Sequence, residues 1–171
     1  MSNKNIVFDN LQDAITYVYS TASKYACKGV IQNIGGPFGA GIILIEEQTF
    51  RIISIARNSV LKNGDPTCHA EVNAIRQACK KLGTPFLRNC ILVTTAKSCP
   101  MCLSAAIWAQ IKTIYYSENY ESATAADFKD DAIAEYIKGK NSTLIKEVHL
   151  QHKDTIKPFE IWNAKEDRIN Y

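Results

Sequence analysis

Two short stretches hold side chains that can do chemistry together. His69, Ala70 and Glu71 follow a turn-forming segment, and Cys99 and Cys102 form a C-x-x-C pair further along. One imidazole and two thiolates are soft or borderline donors, a set that leaves the fourth tetrahedral position of zinc open for water. Pro100 suits the first turn of a helix, where a missing N–H costs little. Both sulfurs then lie in one turn, and a helix N-terminus favours the thiolate form that a metal requires. Glu71 lies about 200° round the helix from His69, so it neighbours the water rather than adding a fourth ligand. A carboxylate there can take a proton from water and pass it to a ring nitrogen, then to a leaving amine.

Other uses of the same residues stay open at this level. A fourth Cys or His would close the centre into structural zinc, and Cys68, Cys90, His149 and His152 are available for that. A redox C-x-x-C is a third reading. Otherwise Cys27, Cys68, Cys79 and Cys90 read as small core residues.

The elements that must position these groups follow from periodicity. Leu11, Ala14, Ile15, Val18, Ala22, Tyr25 and Ala26 recur at helical spacing. After Gly35, Gly36 and Pro37, the runs IILIEE and FRIISIA predict a β-hairpin turning at Glu47 and Gln48. Asn63 to Pro66 form a turn, Thr67 is the expected N-cap, and Val72, Ile75, Cys79 and Leu82 share the next helical face. A strand over Cys90–Thr95 leads to the Pro100 helix, whose run MCLSAAIWAQ is apolar nearly all round. Both its faces should be covered, by core and by another subunit. A strand at KTIYYS, a helix from Thr124 to Ile137, a strand over Leu144–Leu150 and a short helix after Pro158 complete the expectation. Alternating strands and helices point to a three-layer α/β/α sandwich around a mixed sheet, in a single domain spanning 1–171.

Bulk properties bound the partners. The 171 residues carry 20 basic and 17 acidic side chains, for a net charge of +3, too mild to argue for nucleic acid. No apolar run is long enough for a signal peptide or a membrane span, so the expected location is cytoplasmic. In that reducing compartment six cysteines suggest metal or catalysis rather than disulfides.

H-x-E followed by C-x-x-C is the zinc-deaminase signature. Around it the chain resembles the cytidine-deaminase-like superfamily and, within it, the bacterial guanine deaminases. The resemblance rests on IGGPFGA (34–40), DPTCHAEVNAIRQACKKLG (65–83), CPMCLSAAIWA (99–109) and PFEIWNAKEDRINY, with its Pro158, Phe159, Trp162 and Tyr171. It implies a central five-stranded mixed sheet and one zinc per subunit on His69, Cys99 and Cys102, with Glu71 as proton shuttle. The implied activity is hydrolysis of guanine to xanthine and ammonia, in purine catabolism or salvage. By the same resemblance Asn58 hydrogen-bonds the purine, Phe38 packs on the base and the Ala70 backbone donates to the substrate. Asp130, with Asp131 beside it, falls where those enzymes have an acidic residue that contacts substrate or relays protons. Tyr171 is expected to close the partner's site in a homodimer whose segment from about 156 to 171 is swapped.

Rival readings are a deaminase of another purine, guanosine, cytosine or a triazine. A tRNA adenosine deaminase is disfavoured by the lack of a C-terminal basic tract. A non-catalytic zinc-stabilised module is disfavoured by Glu71. One departure stands out: Lys97 and Ser98 occupy the places where the guanine deaminases have Glu-Pro. Lys97 is expected to face solvent or a carboxylate, because an unpaired ammonium beside a metal site is costly to desolvate.

Overall fold

A two-residue strand, β1 (Val7–Phe8), precedes the helix α1 (Leu11–Ile31) in the computed structural model, which describes residues 6–140, 145, 148–149 and 155–166. The α1 helix starts at Asn10, whose Oδ1 accepts the N–H of Gln12 at 2.7 Å and of Asp13 at 3.3 Å. That is the N-cap role a short polar side chain fills well. Ala14, Ile15, Val18, Ala22 and Ala26 are buried as the stripe predicts, but Tyr25 is exposed.

The hairpin forms as β2 (Gly39–Glu46) and β3 (Thr49–Arg57), with Glu47 left-handed at its tip. A short helix, α2 (Val60–Asn63), ends at a left-handed Gly64, and α3 (Ala70–Leu82) follows. Strand β4 (Cys90–Ala96), helix α4 (Pro100–Trp108) and strand β5 (Thr113–Glu118) form a parallel crossover. Three helices follow: α5 (Tyr120–Thr124), α6 (Asp130–Ile137) and α7 (Lys157–Ala164).

The sheet order is β1-β3-β2-β4-β5, antiparallel except for β4 with β5. Strand alternation sorts its side chains to two faces. Ile43, Ile52, Ile91 and Val93 pack against α1, while Ile42, Ile53 and Leu92 join Ala70, Ala74, Ile75, Ala78 and Ala106 of α3 and α4. Helix α1 approaches β2 closely enough that a Cβ on Gly39 would lie 2.5 Å from the Ala22 carbonyl oxygen. The expected mixed five-stranded sheet between helical layers is thus observed.

Several local expectations change. Thr67 does not cap α3: the helix starts at Ala70, two residues later than a cap at Thr67 would place it, and Thr67 instead donates its N–H and hydroxyl to Asp65 Oδ1 at 2.7 Å. The N-cap residue is His69. The predicted helix from Thr124 to Ile137 is broken by a left-handed Asp127, which separates α5 from α6. Of the expected strand over 144–150, Ile145, Val148 and His149 are in no strand, and the other residues lie outside the described ones. Within one chain the core covers one face of α4, where Cys102 and Ala106 are buried, while Leu103, Ile107 and Trp108 are exposed on the face expected to meet another subunit. Among the described residues no helix is long and apolar enough to cross a membrane.

Candidate active site

Two helix N-termini build the centre. His69 is the N-cap residue of α3 and Cys99 that of α4, and neither side chain caps its own helix. Both are in extended backbone, which turns the imidazole and the sulfur outward from the helix ends. Cys102 follows in the first turn of α4 and is fully buried. His69 Nδ1 lies 3.6 Å from Cys99 Sγ and 3.5 Å from Cys102 Sγ.

Those distances fit a metal. Tetrahedral zinc with Zn–S of about 2.3 Å and Zn–N of about 2.05 Å places nitrogen and sulfur about 3.5 Å apart. The three donor atoms all lie within 4.8 Å of one another, and they are the one such group among the described residues. Cys68 does not join them. It is buried one residue before His69, where its thiol donates to Asp65 Oδ2 at 3.2 Å and accepts from Asn63 Nδ2 at 3.3 Å. Cys90 is buried in the α3–α4 core, Cys79 is half-buried against it, and Cys27 is exposed on α1, contrary to its reading as a core residue. His149 is described and lies outside the donor group, while His152 is outside the described residues. Among the described residues the set has three donors, one short of a closed tetrahedral site.

The electrostatics suit proton traffic. A hydrogen bond from Cys102 and further support from His69 pull the Cys99 thiol down to about 4, giving a thiolate. Sharing a proton with Cys99 and being buried push Cys102 up, so only a cation makes both sulfurs thiolate at once. The Cys99 thiolate in turn raises His69 against the opposing effect of burial. Glu71, in the first turn of α3, is 5% exposed, and burial holds its carboxyl above the usual carboxylate range.

Asn58 follows the last residue of β3 and is buried. Its Oδ1 accepts the backbone N–H of Gly36 at 3.2 Å and of Val60 at 3.1 Å. Its own N–H donates to the Phe38 carbonyl at 2.9 Å. The close fit requires glycine at position 35, where a Cβ would meet Asn58 Oδ1 at 2.3 Å. With the carbonyl oxygen engaged by the loop, Nδ2 has no hydrogen-bond partner among the described residues. The amide can therefore offer a ligand a donor. The donor-and-acceptor pair expected from the residue type is reduced to one arm.

Phe38 packs edge-on against Phe128, with ring centroids 4.8 Å apart at 81°. Ala70 opens α3, so its N–H is a first-turn donor with no intrahelical acceptor. Asp130 opens α6 and is half-buried. Burial and then the Cys99 thiolate raise its carboxyl, while His69 pulls the other way, which places Asp130 in the field of the centre. Asp131 is exposed and its Oδ1 accepts the N–H of Ala132 at 2.7 Å. Tyr171 lies outside the described residues.

The question raised by Lys97 and Ser98 resolves by alternation. Lys97 is exposed, its Nζ 4.7 Å from the centre of the Tyr120 ring and 6.0 Å from that of Tyr116. Tyr120 in turn donates its hydroxyl to the Ser98 carbonyl at 2.9 Å. Ser98 points inward, 7% exposed, and its Oγ is buried without a hydrogen-bond partner among the described residues. The expected solvent-facing lysine is observed, with two aromatic faces in place of a carboxylate. Phe128 and Tyr120 escaped the sequence reading, because neither stands in a motif and both reach the site only through folding.

The fold and this centre define a class. The chain belongs to the zinc-dependent deaminase family described as the cytidine and deoxycytidylate deaminase zinc-binding region, which its residues 12–118 match. Within that class it is 40% identical to guanine deaminase of Bacillus subtilis (strain 168) over 147 residues, 85% of this chain and 92% of that protein. The X-ray structure of guanine deaminase from Bacillus subtilis matches with a TM-score of 0.80 at 37% identity, covering 91% of this chain and 98% of that one. Guanine deaminase from Nitrosomonas europaea matches with a TM-score of 0.64 at 25% identity, covering 75% of this chain and 69% of that one.

Proposed function

We propose that the protein hydrolyses guanine to xanthine and ammonia. The observation that carries this reading is the open three-donor centre of His69, Cys99 and Cys102, with buried Glu71 in the turn that follows His69. The likeness to guanine deaminases over most of the chain supports guanine as the ring. Zinc held by those donors supplies a Lewis acid that makes water nucleophilic near neutral pH. Glu71 takes a proton from the water as its oxygen adds to the amino-bearing ring carbon. The same carboxyl protonates the departing amine, so the proton is returned and ammonia leaves. Its raised affinity for protons brings it toward the working range of such a shuttle.

The chain's other groups orient the ring. Asn58 Nδ2 donates to a purine acceptor, Phe38 packs on the base with Phe128 behind it, and the Ala70 N–H donates at the helix N-terminus. Asp130 contacts the substrate or relays protons from the α6 side.

The same reading places the protein in cytoplasmic purine breakdown or salvage, as a homodimer. Leu103, Ile107 and Trp108 on α4 are exposed, as are Ile156, Phe159, Ile161 and Trp162 in and beside α7. A cavity of about 760 Å³, bordered by Ala26, Val30, Phe38, Thr95 and Ala123, offers the apolar α7 side chains of a second copy a place to pack. Tyr171 of the swapped segment then closes the partner's site.

A panel of guanine, guanosine, adenine, cytosine and ammeline, assayed with zinc-loaded protein, tests the substrate. Guanine is expected to have the highest kcat/KM. Turnover of another ring with none of guanine overturns the substrate.

A further inference from the structure

Asn73 lies one turn into α3, within the 65–83 segment but outside the H-x-E and C-x-x-C residues that hold the chemistry. Its Nδ2 donates to three acceptors: the Arg57 carbonyl at 3.0 Å, Ser59 Oγ at 3.0 Å and the Cys68 carbonyl at 3.1 Å. Arg57 and Ser59 flank Asn58, and Cys68 precedes His69. One side-chain amide therefore joins the Arg57 backbone and the Ser59 side chain, on either side of the proposed base-reading residue, to the backbone beside the histidine donor. Two further bonds close the same joint: the Ser59 N–H donates to the Cys68 carbonyl at 2.9 Å, and the Asn73 N–H donates to the His69 carbonyl at 2.9 Å.

This arrangement is not needed to hold the helix on the sheet. Ser54 Oγ donates to the Ala74 carbonyl at 2.8 Å and Lys81 Nζ to the Ile53 carbonyl at 3.2 Å, fixing α3 against β3 independently. Beyond β3, however, the chain leaves the ladder, and residues 58–69 must bring Asn58 and His69 into register without strand pairing. An amide with two N–H groups shared among three oxygens can do that, because it reaches the Arg57 carbonyl, the Ser59 hydroxyl and the Cys68 carbonyl from one point on α3.

We infer that Asn73 is a positioning residue that fixes the Asn58 amide relative to the His69 donor, so that metal and base are bound in one geometry. The base half rests on the proposed function, whereas the metal half does not. Truncating Asn73 opens onto an existing cavity of about 480 Å³ that it borders with Arg57, Ser59 and Asn63, so no closed void is made. Partners that orient a ligand typically account for about 10- to 100-fold in metal affinity or activity when removed.

The test compares Asn73→Ala and Asn73→Asp with the parent protein. Zinc affinity is read by chelator competition, KM and kcat on the substrate, and amide exchange at Ser59. The inference predicts zinc binding weakened about tenfold or more, KM raised more than kcat is lowered, and faster exchange at Ser59. The near-isosteric aspartate should be worse than alanine on all three, since it turns a donor into a carboxylate facing three acceptors. A residue that merely fills space would tolerate aspartate and move only the melting temperature, and that result overturns the inference. So does weaker zinc with KM unchanged. If the parent protein is silent on guanine, the proposed substrate fails, while zinc affinity and Ser59 exchange still decide the role of Asn73.

Discussion

The N–H of Asn58 donates to the carbonyl of Phe38 at 2.9 Å, so the two residues assigned to the purine are tied to each other through the backbone. The bond continues the hairpin one residue beyond the Gly39–Arg57 pair. It carries the regular spacing of the sheet into the loop proposed to read the ligand. The loop below is then locked by Asn58 Oδ1 on the Gly36 and Val60 N–H groups.

Asn58→Asp separates these roles. Aspartate keeps an oxygen for Gly36 and Val60 but loses the Nδ2 donor, whereas Asn58→Ala loses both. Both variants should lower kcat/KM on guanine about tenfold or more. Only alanine should leave two loop N–H groups without their acceptor and melt markedly lower. Steady-state kinetics beside thermal unfolding checks this. An alanine variant as stable as the aspartate one contradicts the loop-locking role.

Asp65 sets a pH dependence. The hydroxyl and N–H of Thr67 and the thiol of Cys68 hold its carboxyl below the usual range. A depressed folded pKa means stability that is present above the unfolded value of about 3.9 and lost as pH falls through the lower folded value. Asp65→Asn should therefore melt below the parent protein at pH 6, and the gap should narrow as pH falls below the unfolded value and close once the folded carboxyl is protonated. Paired melting curves across that range measure it. A gap that widens on acidification contradicts the assignment.

The neighbouring acids on α6 should behave differently. Asp130 stands in the field of His69 and Cys99, while Asp131 is exposed and bound to the N–H of Ala132. Asp130→Asn is expected to lower turnover about tenfold or more without lowering the melting temperature, since it removes a charge that burial disfavours. Asp131→Asn should leave kcat and KM near those of the parent protein. Equal effects of the two substitutions contradict the distinction.

Lys97 and Ser98 are expected to act on stability rather than on ring choice. Lys97→Met removes a surface cation–π contact with Tyr120, for a loss of about 0.5–1 kcal/mol. Ser98→Ala removes a buried hydroxyl without a partner among the described residues and should be neutral or stabilising by about 1 kcal/mol. Chemical denaturation measures both. A change in the preferred ring for Lys97→Met contradicts its solvent-facing role.

Periodicity and apolar runs were enough for α1, the hairpin and β4, because their apolar side chains pack where the helices cover the two faces of the sheet, and Pro100 marked the start of α4. The His69, Cys99 and Cys102 donors were legible too, since helix starts fix their directions from sequence alone. What escaped is what tertiary hydrogen bonds decide. Thr67 looks like an N-cap, but the 65–68 turn built on Asp65 delays the helix start to Ala70. Asn73 has the appearance of an ordinary helix residue until the ends of β3 and of the 65–69 loop converge on it. The break at Asp127 lies inside a pattern that reads as continuous helix, and it brings Phe128 against Phe38.

Guanine turnover by zinc-loaded protein, followed by ultraviolet absorbance beside a Glu71→Gln variant of equal zinc content, tests the central claim most directly. The account predicts xanthine and ammonia in equal amounts from the parent protein, and a loss of at least about 100-fold in kcat for the variant, as removal of a general acid–base gives. Comparable rates from both proteins, or no xanthine from the parent protein, would contradict it.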